Sequence, residues 1–135
     1  RFVDICLPPN LECIHSCNHD VVYTEFKQIN SNTILFNFPL SLKEMYFYKI
    51  RINESIIVSN LFNLRVFDII NCELEVLPDL PKNLTSLNCS SNKLQYLPVL
   101  PLSLTKLRCI NNKFSIQTIE TIKNLSNINH FKLEI

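Results

Sequence analysis

A chain of 135 residues has room for one domain, and 47% hydrophobic with 19% charged residues is the composition of a folded protein, which excludes disorder. A net charge of +1 excludes a general electrostatic pull toward nucleic acid or anionic lipid, so any charged partner must be met locally. Glycine is absent, which argues against phosphate-cradling loops, dinucleotide fingerprints, nucleophile elbows and calcium loops, all of which rely on its backbone freedom.

From the amino terminus, residues 1–10 carry no signal-peptide h-region, and no apolar run anywhere approaches the roughly 20 residues that cross a bilayer. The chain is therefore expected to be soluble, with no membrane insertion, and its opening on Arg1 is expected of a processed chain or a fragment. Residues 1–37 fit no repeat, but Val21 to Phe26 and Thr33 to Phe38 have strand composition. A cap of short strands is expected there.

Beyond the cap the chain repeats, with Leu64, Leu84 and Leu104 at intervals of twenty. Leu84, Leu87, Cys89, Asn92, Leu94, Leu97, Pro98, Leu100 and Pro101 match Leu64, Phe67, Ile69, Cys72, Leu74, Leu77, Pro78, Leu80 and Pro81 in character. The next unit begins alike, through Leu104, Leu107, Cys109, Asn112 and Phe114, and then departs. Upstream, Phe38-Pro39-Leu40-Ser41-Leu42 echoes Leu100-Pro101-Leu102-Ser103-Leu104 and runs on through Met45, Phe47, Ile50 and Ile52. Parallel strands are expected near 45–49, 66–70, 86–90 and 106–110. Asn92 and Asn112 are expected to turn inward and satisfy turn backbone, with Cys72 standing in at the same place. Leu-Pro-x-Leu-Pro predicts an extended return, because proline fixes φ and disfavours helix in the residue before it. After a Ser115 cap, Ile116, Ile119 and Ile122 recur at helical spacing and predict a short helix. Phe131 and Leu133 then predict a last strand near 130–134.

The pattern L-x-x-L-x-L-x-x-N-x-L, with Cys accepted at the Asn position, resembles the leucine-rich repeat. Its Leu-Pro-x-Leu-Pro ending resembles the twenty-residue class of bacterial secreted effectors, some of which carry a ubiquitin-ligase domain; the strict resemblance covers Leu64 to Phe114. The Asn- and Ile-rich composition is also similar to repeat proteins of AT-rich genomes such as giant viruses. The resemblance implies an α/β solenoid: a β-rich cap over 1–37, repeats over 38–114 with a parallel concave sheet and a mostly extended convex side, and a short helix with a capping repeat over 115–135. The effectors' catalytic cysteine sits in a separate large domain for which no chain remains here, so neither enzymatic activity nor a cofactor is expected.

Cys6, Cys13, His15, Cys17 and His19 crowd near the start. Cys6, Cys13, Cys17 and His19 are weak candidates for a tetrahedral zinc, because Cys13-x-His15-x-Cys17-x-His19 alternates where two-residue gaps are usual and no second pair follows. A disulfide cap or plain capping residues are the alternatives. Cys89 and Cys109 are expected to stack in the core on strands about 5 Å apart. With Cys72 they make three buried free thiols, which points to a reducing intracellular compartment such as host cytoplasm or a virion.

In this register the outward residues fall into three columns. Glu44, Val66, Ser86, Lys106 and His130 form the first, Tyr46, Asp68, Asn88, Arg108 and Lys132 the second, and Tyr48, Ile70, Ser90, Ile110 and Glu134 the third. Tyr46, Tyr48, Asp68, Ile70, Asn88, Lys106, Arg108, Ile110, His130 and Lys132 are expected to meet a protein partner, with the two tyrosines and Arg108 as anchors. The alternative is a structural subunit of an assembly such as a virion, in which Phe2, Val3, Tyr23, Phe36 and Ile56 would be covered.

Overall fold

The computed structural model describes residues 3–6, 9–17, 21–23, 34–50 and 56–135, and of 3–6, 16–17, 21–23 and 34–37 the backbone alone. In chain order the elements are β1 (Val3–Cys6), β2 (Cys13–Cys17), β3 (Val21–Tyr23), β4 (Ile34–Asn37), β5 (Glu44–Tyr48), β6 (Val66–Ile70), β7 (Ser86–Asn88), β8 (Lys106–Arg108), α1 (Ile116–Asn129) and β9 (Lys132–Glu134). Among the described residues the main sheet has the order β3-β2-β5-β6-β7-β8-β9 and is not closed into a barrel. Six of its strands run parallel, and β3 is antiparallel at one edge. β1 and β4 pair in a second, two-stranded parallel sheet.

The ladder Cys13↔Glu44↔Val66↔Ser86↔Lys106↔Lys132 gives the spacing of the units as 31, 22, 20, 20 and 26 residues. Unequal units stay in register because the same few residues approach each strand. The leucines before β5, β6, β7 and β8 each close a turn by donating N–H three residues back: Leu42 to Pro39, Leu64 to Leu61, Leu84 to Pro81 and Leu104 to Pro101. The residue before each leucine reaches the preceding unit. Asn63 and Asn83 donate to the carbonyls of Leu40 and Phe62. Ser41 hydrogen-bonds both Pro9 and Leu11, as Ser103 does Lys82 and Leu84. That last correspondence makes residues 9–17 a further unit, which the sequence reading missed. The signal was present, since Pro8-Pro9-Asn10-Leu11 parallels Pro81-Lys82-Asn83-Leu84.

Alternation along the strands sends Met45, Phe47, Phe67, Ile69, Leu87, Leu107 and Ile14 to a continuous core, closed from the return side by Leu61, Leu74, Leu77 and Leu94. Phe47 and Phe67 meet edge to face with centroids 6.4 Å apart. The return segments 77–81 and 97–101 contain no helix, as the prolines require.

Past each strand the chain must turn sharply, and it does so through a residue with positive φ: Lys49 at 53°, Asn71 at 54°, Ser91 at 58° and Asn111 at 55°. The N–H groups of Lys49, Asn71 and Ser91 each donate to a carbonyl of the following unit, Ile70, Ser90 and Ile110. Asparagine tolerates this left-handed region; Lys and Ser carry its steric cost, about 1 kcal/mol each.

Asn92 and Asn112 turn inward as expected. Asn92 Oδ1 accepts from the N–H of Cys72 and Leu74, while Nδ2 donates to the carbonyls of Ile69, Cys89 and Ser90. Asn112 repeats this toward Leu94, Cys89, Cys109 and Ile110. Cys72 performs the donor half, its Sγ lying 3.8 Å from Phe47 O and 3.3 Å from Ile70 O.

At the carboxyl end Ser115 caps α1 by accepting from Thr118 N at 3.1 Å. Of the three isoleucines at helical spacing only Ile122 is buried, and Ile116, in the first turn, is 79% exposed. His130 ends the helix in the left-handed conformation, so the strand begins at Lys132 and not at 130. The other strands fall within one residue of expectation at their starts, but β7 and β8 end at Asn88 and Arg108, two residues early.

Leu87 is fully buried in the middle of the stack, so Leu87→Asp combines a lost leucine with an uncompensated buried charge. Circular dichroism on heating is expected to find no cooperative transition for Leu87→Asp, whereas Arg108→Ala, at a half-exposed site, costs less than about 1 kcal/mol. Ser91→Gly relieves a left-handed serine and is expected to raise the urea midpoint by the equivalent of about 0.5–1 kcal/mol; an unchanged or lower midpoint would show that the turn carries no strain.

Candidate partner-binding face

One side of the main sheet has no element packed on it among the described residues, and its outward side chains remain half-exposed between fully buried neighbours. The observed register corrects the expected columns at both ends. β2 adds Cys13 and His15 beside Glu44 and Tyr46. β9 enters two residues later than expected, so Lys132 stands beside Lys106 and Glu134 beside Arg108. His130 falls out of the face into the turn that ends α1, since the helix runs through Asn129. The rows are then Cys13, Glu44, Val66, Ser86, Lys106, Lys132 and His15, Tyr46, Asp68, Asn88, Arg108, Glu134. Tyr48 and Ile70 start a shorter third row; Ile110 lies beyond β8, its N–H donating to Ser90 Oγ.

The β2–β6 end is aromatic and acidic. The His15 and Tyr46 rings stack with centroids 4.4 Å apart and planes 13° from parallel. Tyr46 O–H donates to Glu44 Oε2 at 2.9 Å, and Cys13 Sγ lies 3.9 Å from the same oxygen. Burial, then the neighbouring Glu44, push the Tyr46 hydroxyl up to about 12. Burial also raises Asp68, with Lys106 and Arg108 opposing through space. Among the described residues Asp68 and Glu44 have no ion-pair partner. Tyr48, at the rim, carries Lys49 Nζ 5.0 Å from its ring centroid.

Small polar residues fill the middle. Asn88 Oδ1 accepts from Ser90 N within its own turn, and Ser86 stands beside it on the neighbouring row.

At the β8–β9 end two of three cations share one carboxylate. Arg108 Nε lies 2.7 Å from Glu134 Oε2, and Lys132 Nζ lies 3.7 Å from Glu134 Oε1. The carboxylate oxygen sits off the Nε–H direction, so charge holds this pair and Nε–H makes no aligned hydrogen bond. Lys106 has no ion pair among the described residues.

Of the zinc candidates, Cys13 lies on the face beside Glu44; the side chains of Cys6 and Cys17, and all of His19, lie outside the described residues. No group of three or more His, Cys, Asp or Glu side chains placed to hold a metal occurs among the described residues. Among these residues, too, no helix is long and apolar enough to cross a membrane. Phe2 and the side chains of Val3, Tyr23 and Phe36 fall outside them, and Ile56, expected to be exposed, packs partly against the core. Exposed apolar groups lie elsewhere, on the return side: Val99 is 92% and Leu102 87% exposed. Neither a protein-family model nor a curated protein matches the chain.

Cys72, Cys89 and Cys109 are free and buried. Burial lifts Cys72 to about 11 and Cys109 to about 12, from an ordinary 9.0, and raises Cys89 further, with Cys109 adding to the effect. An unfolded chain releases these protons from about pH 9 and the Tyr46 proton from about 10, while the folded chain keeps them. The folded state thus binds more protons over pH 9–12, and stability falls as pH rises. Urea midpoints measured from pH 8 to 11 should decline, less steeply in Cys109→Ala above about pH 9 and less steeply in Tyr46→Phe only above about pH 10.

Proposed function

We propose that the chain is a leucine-rich repeat solenoid that binds a protein partner, without catalysis or cofactor, through the open face of its parallel sheet. The repeat reading is supported by the register: equivalent residues of successive units, Val66, Ser86 and Lys106, lie side by side. The repeated inward clamp of Asn92 and Asn112 supports it too. The observation that carries the binding reading is a sheet face that keeps charges without an ion pair, Asp68 beside the Tyr46–His15 stack and Lys106 two strands away on β8. Desolvating unpaired charge costs energy that a complementary partner returns, which is how a surface selects among partners. Exposed Tyr and Arg supply anchor types common at interface centres.

No nucleic-acid partner is proposed, since the cations are offset by Glu44, Asp68 and Glu134 on the same face. Three buried free thiols support residence in a reducing intracellular compartment, host cytoplasm or virion. A second reading, a subunit packed into a larger assembly, draws its support from the return side, where Val99 and Leu102 project almost fully into solvent near exposed Tyr96.

An affinity capture from source or host lysate, with the intact chain and a Tyr46→Ala, Arg108→Ala double variant read by mass spectrometry, separates the two. A partner lost from the double variant is the expected result. A partner kept by it and lost from Val99→Lys, Leu102→Lys would instead assign binding to the return side.

A further inference from the structure

The charges of the open face are sorted along the direction in which the strands stack. Glu44 and Asp68 lie on β5 and β6, Ser86 and Asn88 on β7, and Lys106, Arg108 and Lys132 on β8 and β9. With strands about 4.8 Å apart, the β5–β6 pair lies roughly 12 Å from β8, the length of three to four residues of extended chain. Neutralisation is unequal, because Glu134 already serves Arg108 and touches Lys132, which leaves Lys106 as the unpaired cation facing the unpaired Asp68 across β7.

We propose that this face takes one extended peptide segment laid across the strands, a basic side chain seated between Glu44 and Asp68 and an acidic side chain three or four residues away seated at Lys106 and Lys132. This rests on reading the open face as the binding surface. Charge complementarity fixes the chemistry of the occupant: a peptide charged at one end only would leave the opposite pole of the face desolvated and unpaired. Ser86 and Asn88 between the poles bring no bulk, so a backbone can pass close over β7, and Asn88 Nδ2, which donates to no group among the described residues, faces its carbonyls. The basic group also meets the Tyr46 ring on the face that His15 leaves uncovered.

A second copy of the chain, turned end for end, is the other dipolar occupant. Six strands about 4.8 Å apart, with about 15 Å of strand exposed, offer roughly 400 Å², half of the ~800 Å² per partner that stable protein pairs bury. A segment of about eight residues spans the same width completely.

The probe is a phage library of random eight-residue peptides panned on the immobilised intact chain. The expected enrichment is Lys or Arg with Asp or Glu three or four positions away. A synthetic peptide of the leading sequence should lose about tenfold in affinity on the near-isosteric Asp68→Asn, and about tenfold on Lys106→Ala at a half-buried site, with the folding of both checked by circular dichroism. Replacing the peptide's basic residue by Gln should abolish the effect of Asp68→Asn while leaving that of Lys106→Ala. Enriched peptides without the charge pair that are still lost from the Tyr46→Ala, Arg108→Ala variant would overturn the dipolar assignment and leave the face as a binding surface. Peptides indifferent to both sets of changes would overturn both readings. No enrichment, or sedimentation of the chain as a dimer that Asp68→Asn dissociates, would overturn the peptide assignment.

Discussion

Five hydrogen bonds from one side-chain amide hold the centre of this molecule. Asn92 gathers two N–H groups from the segment after β6, and three carbonyls from the ends of β6 and β7 and the turn beyond, in a space closed to water. A sheet whose strands all run one way must break its ladder after every strand and bring the chain back. The groups freed by that break are buried, and each left unpaired would cost about 1–3 kcal/mol. The amide satisfies several donors and acceptors together; a carboxylate only accepts, and a hydroxyl has a single O–H to donate. Cys72 shows what the position minimally requires: its thiol reaches two carbonyls and accepts nothing as strong in return.

The open face is the consequence of that economy. Since the inward residues and the clamp fix the stack, the outward residues add only local turn bonds such as those of Asn88 and Ser90, and sorted charges can accumulate among them. The ion pairs outside the face, Lys43–Glu12 and Lys93–Glu73, link neighbouring units at exposed sites and are each worth less than about 1 kcal/mol. Within the face the charges stand largely apart, with the Tyr46–Glu44 hydrogen bond and the Glu134 contacts as the exceptions.

What the sequence made legible follows the strength of its periodicity. Leucines at twenty-residue spacing, with an Asn or Cys eight residues on, set β6, β7 and β8 and placed Asp68, Asn88, Lys106 and Arg108 on one face. The last strand was misplaced because a helix stretched the unit to 26 residues, and the placing of Phe131 and Leu133 could not show that His130 would be taken by the helix end. β2 was missed because a 31-residue step separates it from β5 and because Glu12-Cys13-Ile14-His15 lacks leucine after Leu11. Missing β2 hid the His15 stack on Tyr46, which no spacing within one strand could reveal, since the two residues are 31 apart and meet only through the ladder. β7 and β8 end at Asn88 and Arg108, just before the carbonyls of Cys89 and Cys109 that Asn92 and Asn112 take, although single backbone bonds such as Ser91 N–H to Ile110 O continue beyond.

The unequal spacing of the units bears on how the chain acquires its structure. Loop closure grows only logarithmically with length, so joining strands 31 residues apart costs about 0.4 kcal/mol more than joining strands 20 apart. Length therefore does not decide where assembly begins; the gain on closure does. That gain is greatest where an amide clamp and a leucine-rich pair form in the same event, which is the run from β6 to β8. Growth outward from there, toward β2 and toward α1, is the order expected, each unit arriving on a template already built. Opening runs the same road backward, so the terminal units exchange their amide protons long before the centre does.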